Sequence, residues 1–297
     1  MDSYGAAGTS GRRNGRRGEL EAQQRGQLAA GVLAGERPGP SELSDAEQVP
    51  LKVFVDIAGR PMLARVLDVI AEATPDALHI VAGPDEVGLR AAPWLQAAVA
   101  EERLMHLPPA HSPSRSARAV VEAAYARGAR AVAVTTGDHP LLTARTFRRF
   151  VDDALATDAD AVVGLADHAA VKAAFPASRR TALRFSDGHR CGCNMFLFRG
   201  FGALRVLDLW REVEQDRKRP DRILRRLGPG LAVRYLAGRL ELAEALDRLG
   251  ELADARVAVV RVEDPDAAVD VDNLEDLATV RARWAQRADQ PTDDSKT

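Results

Sequence analysis

The chain of 297 residues is poor in cysteine and contains only Cys191 and Cys193. Two cysteines separated by one residue lie too close along an extended chain for a disulfide that would staple a fold. A structural zinc ion usually takes four N or S ligands, whereas this segment offers only His189 and the two cysteines. Half-buried strand thiols are therefore the favoured interpretation, and zinc binding is the alternative. The sequence therefore predicts a reducing, cytoplasmic setting.

Long apolar runs and a strong net charge are also missing. No window reaches the roughly 18 uninterrupted apolar residues that a membrane-spanning helix needs, and no apolar segment follows the arginines near the N-terminus. We therefore expect neither secretion nor stable membrane insertion. A net charge of −2 with 28% charged residues gives no general affinity for nucleic acid.

The two ends of the chain have the composition of solvated tails. Residues 1–26 are rich in Gly, Arg, Ser and Gln without a helix or strand period, and residues 288–297 are polar. The paired arginines in GRRNGRRG leave contact with an anionic partner as an alternative to an unstructured leader. The sequence predicts one ordered domain over residues 27–287.

Apolar runs alternate with amphipathic segments through the first half of this domain. Strands are predicted over 28–34, 77–83, 103–107, 129–136 and 159–166, and helices over 61–73, 85–101, 115–127 and 143–155. The strand-like runs are apolar throughout, as in strands covered on both faces. This alternation predicts a three-layer α/β/α fold with a mainly parallel sheet.

The second half of the domain has a looser pattern. Residues 181–200 indicate two extended runs about a turn at Asp187 and Gly188, residues 202–252 are mostly helical, and a last strand is predicted over 255–263. Leucines in 223–249 form an apolar face that either packs on its own domain or docks on a membrane or a partner. Packing within the domain is the favoured interpretation.

Polar residues with a common chemistry follow the predicted strands. In an open α/β sheet, ligands gather outside the carboxyl ends of the strands. The residues found there are Gly35, Glu36, Arg37, Gly39 and Lys52, then Gly137, Asp138 and His139, and finally Asp270 and Asp272. They supply exposed amides, a cation and carboxylates, which together suit phosphates and Mg²⁺. Neither a Walker motif nor a Gly-x-Gly-x-x-Gly fingerprint is present.

Three segments carry a resemblance to a known family. They are LAGER (33–37) with the following VPLKVFVDIAGRPMLARVLDVI (49–70), VAVTTGDHPLLTARTFRRFV (132–151) and DVDNLEDLATV (270–280). In this order they resemble the nucleotidyltransferases with the MobA-like fold, which include molybdenum-cofactor and sugar-phosphate nucleotidylyltransferases. The resemblance covers residues 28 to about 285, and it implies an α/β domain of the GT-A or Rossmann-like type.

The resemblance also implies roles for particular residues. Leu33, Ala34, Gly35 and Arg37 fall in the loop that wraps the nucleotide phosphates, and Lys52 matches a lysine that stabilises charge on the α-phosphate. Asp138 matches the Mg²⁺-binding Asp, and Asp272 matches the second position on the metal side. Asn194 falls in the region that contacts the acceptor, and residues 108–117 fall near the site of base recognition.

Each of these residues also has a structural interpretation. Gly35 and Gly39 permit a turn with positive φ. The alternative for Lys52 is a solvated charge at a strand edge. Asp138 is able to cap the following turn, and Asp272 suits the N-terminal dipole of a helix. Asn273 and Asp276 already form an N-cap pair, which leaves Asp272 for metal binding with Asp270 in reserve. His139 is expected to be an exposed turn histidine, with general-base catalysis as the alternative.

The resemblance implies a Mg²⁺-dependent nucleotidyltransferase in which Lys52 and Asp138 are catalytic. We expect it to transfer an NMP group from an NTP to a phosphorylated or hydroxylated small-molecule acceptor and to release pyrophosphate. A glycosyltransferase of related fold that uses a nucleotide sugar is one alternative. A degenerate nucleotide-binding module is the other, because Glu36 stands where the family has a second glycine.

Overall fold

The computed structural model describes residues 27–36, 41–177, 180–215 and 228–288. The predicted tail at 1–26, the tail from residue 289 onward, Arg37 and Gly39 all lie outside these ranges. The proposed domain limits at residues 27 and 287 remain predictions. Within the described part of the chain, no helix has the length and apolar character of a membrane span.

The described residues form one eight-stranded sheet and a separate two-stranded ribbon. The strands are β1 (Leu28–Leu33), β2 (Asp56–Ile57), β3 (Arg60–Pro61), β4 (Leu78–Ala82), β5 (Met105–Leu107), β6 (Ala131–Thr136), β7 (Ala161–Asp167), β8 (Leu183–Phe185), β9 (Gly188–Arg199) and β10 (Val257–Val262). In the main sheet the order is β10-β7-β9-β6-β1-β4-β5, with β8 added to β9.

Most neighbours in the main sheet run in the same direction. Strand β1 is parallel to β4 and β6, β4 is parallel to β5, and β7 is parallel to β10. Strand β9 is antiparallel to its neighbours β6, β7 and β8. The carboxyl ends of the parallel strands therefore meet at one edge, and β9 enters the sheet from that edge. The prediction of a mainly parallel α/β sheet is confirmed.

Helices follow most of the strands and cover both faces of the sheet. They are α1 (Glu42–Ala46), α2 (Met62–Ala73), α3 (Glu86–Ala91), α4 (Pro93–Ala100), α5 (Pro113–Tyr125), α6 (Ala144–Leu155), α7 (His168–Ala174), α8 (Gly200–Gln215), α9 (Pro229–Leu236), α10 (Leu242–Ala253) and α11 (Leu274–Ala288). The single helix predicted over 85–101 is wrong. Ala92 leaves the helical region at φ −122° and ψ 77° because the ring of Pro93 disfavours helical backbone in the preceding residue.

Two apolar cores lie on opposite faces of the sheet. Alternate residues of β1 divide between them, with Ala30 and Val32 in one core and Ala29 and Leu33 in the other. Helix α2 buries Met62, Leu63, Val66 and Ile70 against the first core, in agreement with its apolar period. Each fully buried side chain of this size contributes about 1.5 to 3 kcal/mol. The loops at the carboxyl edge therefore extend from a rigid platform.

Parts of the second half differ from the sequence-based expectation. Cys191 and Cys193 are fully buried in β9, each 1% exposed, and not half-buried. Burial raises the pKa of the Cys193 thiol to about 12. Of the apolar stretch 223–249, residues up to 227 lie outside the described ranges, whereas Leu240 is buried and Leu236 on α9 is exposed.

Candidate active site

The loop after β1 begins the candidate site. The Ala34 N–H donates to the Ala82 carbonyl at 2.8 Å, and the Gly137 N–H donates to the Leu33 carbonyl at 2.9 Å, so three strand ends are tied together. Gly35 is exposed and does not have a positive φ, so the positive-φ interpretation of this residue is wrong. A side chain at Gly35 would begin 3.2 Å from the Pro109 Cβ atom. The loop is narrow and presents backbone.

Lys52 brings two carboxylates together at this edge. Its Nζ atom lies 2.7 Å from the Asp138 Oδ2 atom and 2.7 Å from the Asp272 Oδ1 atom. Lys52 opens a short 3₁₀ turn whose next residues, Val53 and Phe54, are buried, so its backbone is anchored. Its own N–H donates to the Glu36 Oε2 atom at 3.1 Å. The Lys52, Asp138 and Asp272 side chains, called the lysine cluster below, converge from separate elements.

The burial of the lysine cluster gives it strong electrostatic coupling. The Lys52 and Asp138 side chains are 18% and 15% exposed, whereas Asp272 is 63% exposed. Burial opposes ionisation of Asp138, but the Lys52 ammonium outweighs it and lowers the pKa of this carboxyl to about 2. Burial likewise opposes the charge on Lys52, and Asp138 with Asp272 outweighs it, so the pKa of Lys52 is raised. Lys52 is therefore an ammonium and Asp138 a carboxylate at neutral pH.

The loop that carries Asp270 and Asp272 is fastened at several points. The Val271 N–H donates to the Asp138 carbonyl at 3.0 Å and brings the loop back to the end of β6. Asn273 and Asp276 exchange hydrogen bonds of 2.9 and 3.0 Å at the start of α11, which confirms the predicted N-cap pair. Asp272 is thus left to face Lys52.

The base of this loop is held by a buried carboxylate. Asp266 is 2% exposed and pairs with Arg283 at 2.9 Å and with Arg287 at 2.5 Å, both on α11. Arg287 also donates to the Leu141 carbonyl at 3.0 Å. Helix α11 therefore fixes both ends of the segment that delivers Asp272.

A second polar group adjoins the lysine cluster. It consists of the Asn194, His139, Asp270 and Arg180 side chains. The Asn194 Nδ2 atom lies 2.9 Å from the His139 Nε2 atom and 3.2 Å from the Asp270 Oδ2 atom. Arg180 pairs with the other carboxylate oxygen of Asp270 and with its backbone carbonyl. His139 is 1% exposed, so the expectation of an exposed turn histidine is wrong.

An unusual backbone conformation delivers Asn194 to this group. Asn194 has φ +48°, a region that Asn enters more readily than most residues. The pairing of β9 with β7 shifts register between Val163 and Leu165, opposite Asn194. A bulge of this kind re-aims a side chain, and here it turns Asn194 towards His139 and Asp270.

The structure brings most of the sequence-predicted residues to one edge. Lys52, Asp138 and Asp272 are in contact. Asn194 lies beside them because it contacts His139, the residue after Asp138. Asp270 lies beside them because the next residue, Val271, donates to the Asp138 carbonyl. Asp270 does not join Asp272 on Lys52, because its carboxylate faces Arg180. Arg37 lies outside the described residues. Sequence reasoning missed Arg180, since no motif or apolar period marks the segment around it.

A mainly parallel α/β sheet with loop amides, a lysine and carboxylates at its carboxyl edge is typical of enzymes that handle nucleotides. Residues 28–228 match the family model of the MobA-like NTP transferase domain. The chain therefore belongs to the MobA-like NTP transferase family and is one of the nucleotidyltransferases.

Several known proteins are similar to this chain. A hypothetical transferase from Thermus thermophilus is 30% identical with a TM-score of 0.70, over 84% of this chain and 99% of the other. A CMP-2-keto-3-deoxy-manno-octonic acid synthetase complexed with CTP shares the fold at 16% identity and a TM-score of 0.52, over 88% of this chain and 99% of the other. The bifunctional protein GlmU of Rhodopseudomonas palustris (strain BisB5) is 37% identical over 105 residues, which are 33% of this chain. The match spans only 21% of that curated relative.

Proposed function

We propose that this protein transfers an NMP group from an NTP to a phosphorylated or hydroxylated small-molecule acceptor and releases pyrophosphate. In this reaction an acceptor oxygen forms a bond to the α-phosphorus. The bond from that phosphorus to the oxygen that bridges to the β-phosphate breaks, and pyrophosphate leaves with the electron pair. A hydroxyl acceptor also gives up its proton to solvent.

The observation that carries this proposal is the lysine cluster. A half-buried ammonium, with one carboxylate from the loop after β6 and one from the loop before α11, lies at the edge where the β1 loop exposes Gly35. Preorganised charges of this kind stabilise the charge that develops in a phosphoryl-type transition state. We assign to the exposed Gly35 backbone the role of binding phosphate oxygens, because the Ala34 N–H is used by the Ala82 carbonyl and Leu33 is paired within β1. Lys52 offsets charge on the α-phosphate, and no covalent nucleophile is needed.

Magnesium fits the donor set at this site. Asp138 and Asp272 each direct one oxygen atom at the Lys52 ammonium, so their carboxylates lie close enough to share a cation. The Asp138 Oδ1 atom is buried without a hydrogen-bond partner among the described residues. In the described part of the chain no group of three or more metal-binding side chains occurs, so phosphates and water would complete the shell. When bound, Mg²⁺ neutralises phosphate charge. Asp138 and Asp272 are the residues that we propose would hold it.

The position of Glu36 supports an active site over a degenerate one. Its carboxylate accepts a hydrogen bond from the Lys52 backbone N–H at 3.1 Å, so it is used to fix the lysine. The glycosyltransferase alternative needs two carboxylates of an Asp-x-Asp motif on one metal ion. Here Asp270 faces Arg180 and Asp272 faces Lys52, so no observation favours that alternative.

Two measurements on the purified protein test the proposal. Calorimetry with ATP, GTP, CTP and UTP in the presence of MgCl₂ measures nucleotide binding. Pyrophosphate release is then followed with each nucleotide and a panel of sugar phosphates and polyol phosphates. We expect one nucleotide to bind best and to support turnover. Asp138→Asn is expected to abolish turnover, whereas Asp158→Asn, at an exposed residue before β7, retains it.

The outcomes separate the candidate functions. Absence of binding by all four nucleotides overturns the proposal, and so does unchanged pyrophosphate release in Asp138→Asn. Tight nucleotide binding without turnover on any acceptor indicates the degenerate module. Hydrolysis of a nucleotide sugar without pyrophosphate release indicates the glycosyltransferase.

A further inference from the structure

The loop after β4 is in close contact with the loop after β1. Gly83, the first residue after β4, has φ +92°, a region that glycine enters readily and other residues rarely do. A Cβ atom at Gly83 would lie 2.8 Å from the Ala34 carbonyl carbon, 2.8 Å from the Gly35 nitrogen and 2.9 Å from the Ala34 oxygen. These three atoms belong to one peptide group, and a point nearly equidistant from them lies over its flat face. The bare Cα atom of Gly83 therefore packs against the peptide that joins Ala34 to Gly35.

Hydrogen bonds hold both partners of this contact in place. The Ala34 N–H donates to the Ala82 carbonyl at 2.8 Å, and the Gly83 N–H donates to the Leu107 carbonyl at 2.8 Å. The pairing of β1 with β4 and of β4 with β5 thus continues past the strand ends. Because neither segment is free to withdraw, the position of the Ala34–Gly35 peptide depends on how closely Gly83 allows it to approach.

The same peptide carries the Gly35 N–H, the donor to which the proposed function assigns phosphate oxygens. Gly35 is exposed, and its N–H has no hydrogen-bond partner among the described residues. A peptide group is planar, so the orientation of its plane decides where its N–H points. A preorganised donor stabilises a ligand oxygen only when it points at the place that the oxygen occupies. Gly83 therefore controls a contact on which the aim of this donor depends.

We propose that Gly83 is a positioning residue for the nucleotide: because it has no side chain, the Ala34–Gly35 peptide lies in the plane that aims the Gly35 N–H at a phosphate group. This inference rests on the proposed function and adds a residue of the β4 loop to the phosphate site. Ordinary contacts of a Cβ atom begin at 3.4 Å, whereas the spacing here is 2.8 Å. The substitution Gly83→Ala must therefore move the peptide by about 0.6 Å.

Ligand binding by Gly83→Ala tests the proposal. The probes are inorganic triphosphate and the four nucleoside triphosphates, each titrated by calorimetry in the presence of MgCl₂. A misplacement of 1 Å in a preorganised site costs about 100-fold, so a displacement of about 0.6 Å is expected to weaken binding about tenfold. Inorganic triphosphate has neither base nor sugar, so its loss of affinity isolates the phosphate contact. Affinities within about twofold of the wild type overturn the proposal.

The matched control is Gly128→Ala. Gly128 has φ +86°, so both substitutions impose the same kind of backbone strain. A Cβ atom at Gly128, however, would meet no atom of the described residues within 4 Å. Both variants are expected to melt at a lower temperature than the wild type, but Gly128→Ala keeps its affinity for triphosphate within about twofold. A tenfold loss of affinity in both variants assigns the effect to lost stability and overturns the proposal.

Nuclear magnetic resonance observes the Gly35 amide directly. Labelling with carbonyl-¹³C alanine and ¹⁵N glycine selects the six glycines that follow an alanine, which are Gly8, Gly31, Gly35, Gly59, Gly83 and Gly238. Gly35→Ala removes one of these signals and so assigns it. In the wild type we expect the Gly35 signal to shift when inorganic triphosphate is added. In Gly83→Ala it is expected to be displaced already without ligand, whereas Gly128→Ala leaves it in place.

The two experiments separate a failure of this inference from a failure of the proposed function. A Gly35 signal that is unmoved in Gly83→Ala, or that ignores a triphosphate bound to the wild type, overturns the role of Gly83 while nucleotide binding stands. If neither inorganic triphosphate nor any nucleotide binds the wild type, the proposed function falls. The Gly35 signal of Gly83→Ala then still decides whether Gly83 sets the position of this peptide.

Discussion

Replacement of Lys52 by methionine separates the structural role of its charge from its role towards a metal ion. Methionine keeps much of the apolar stem and removes the ammonium group. In the wild type that group lies 2.7 Å from both the Asp138 Oδ2 and the Asp272 Oδ1 atoms. In Lys52→Met the two carboxylates lose the cation that they share.

The expected cost comes mainly from the pair with Asp138. At 2.7 Å and an effective dielectric constant of about 20, the gross attraction is about 6 kcal/mol, most of which desolvation cancels. Removal of one partner of a buried pair costs about 3 to 5 kcal/mol. We expect about 3 kcal/mol, because both side chains keep some exposure and Asp272 is 63% exposed. For a chain of this size the melting temperature falls by about 6 °C.

Magnesium is expected to act differently on the two proteins. In the wild type the ammonium already occupies the space between the carboxylates, so MgCl₂ without nucleotide has little effect on the melting temperature. In Lys52→Met, binding with a Kd tenfold below the Mg²⁺ concentration restores about 1.4 kcal/mol. The variant is expected to lack turnover in both conditions, since its cation for the α-phosphate is gone.

Thermal unfolding across a MgCl₂ titration measures these effects. Lys172→Met is the matched control, because Lys172 donates to the Pro176 carbonyl outside the lysine cluster. Addition of Asp138→Asn to Lys52→Met is expected to abolish the stabilisation by Mg²⁺. Equal melting temperatures for wild type and Lys52→Met, or the same response to Mg²⁺ in both, would refute the reasoning.

Three further changes have definite expected outcomes. The pKa of Asp138 is lowered from 3.8 to about 2. Ionisation of this carboxyl therefore adds about 2 kcal/mol to the free energy of unfolding above pH 4, and this contribution is lost as the pH falls towards 2. In urea unfolding, Asp138→Asn is expected to differ from the wild type at pH 6 and to converge with it near pH 2. Asp266→Ala leaves Arg283 without its buried partner and is expected to lose about 3 kcal/mol in urea unfolding, with no loss taken as contradiction. Glu36→Gln keeps an acceptor for the Lys52 N–H and removes a negative charge, so nucleotide is expected to bind about threefold tighter by calorimetry, whereas weaker binding would assign the carboxylate to the ligand.

Local sequence patterns predict a part of the fold. The apolar run before Gly137 and Asp138 predicts a buried strand, and the structure has β6 at Ala131–Thr136. The period of Met62, Leu63, Val66 and Ile70 predicts one buried helix face, and those residues are buried. Because the carboxyl ends of parallel strands share an edge, the sequence also indicates which polar residues gather there.

The unpredicted part depends on contacts between distant segments. The two bonds of Asn194 need a bulge in β9 and a positive φ, and neither leaves a pattern in hydropathy. His139 is buried through the packing around it, although its neighbours Asp138 and Pro140 are typical of an exposed turn. Arg180 acquires its partner only when Asp270 arrives from the far end of the chain.

The separations along the chain within the lysine cluster have a consequence for how this protein folds. Lys52 is 86 residues from Asp138 and 220 residues from Asp272. Contacts of such length form late, because the entropy of closing long loops must be overcome first. A chain emerging from the ribosome holds Lys52 and Asp138 long before α11 exists to deliver Asp272. Because Asp272 belongs to the proposed site, we expect nucleotide affinity to appear only once the whole domain has been synthesised.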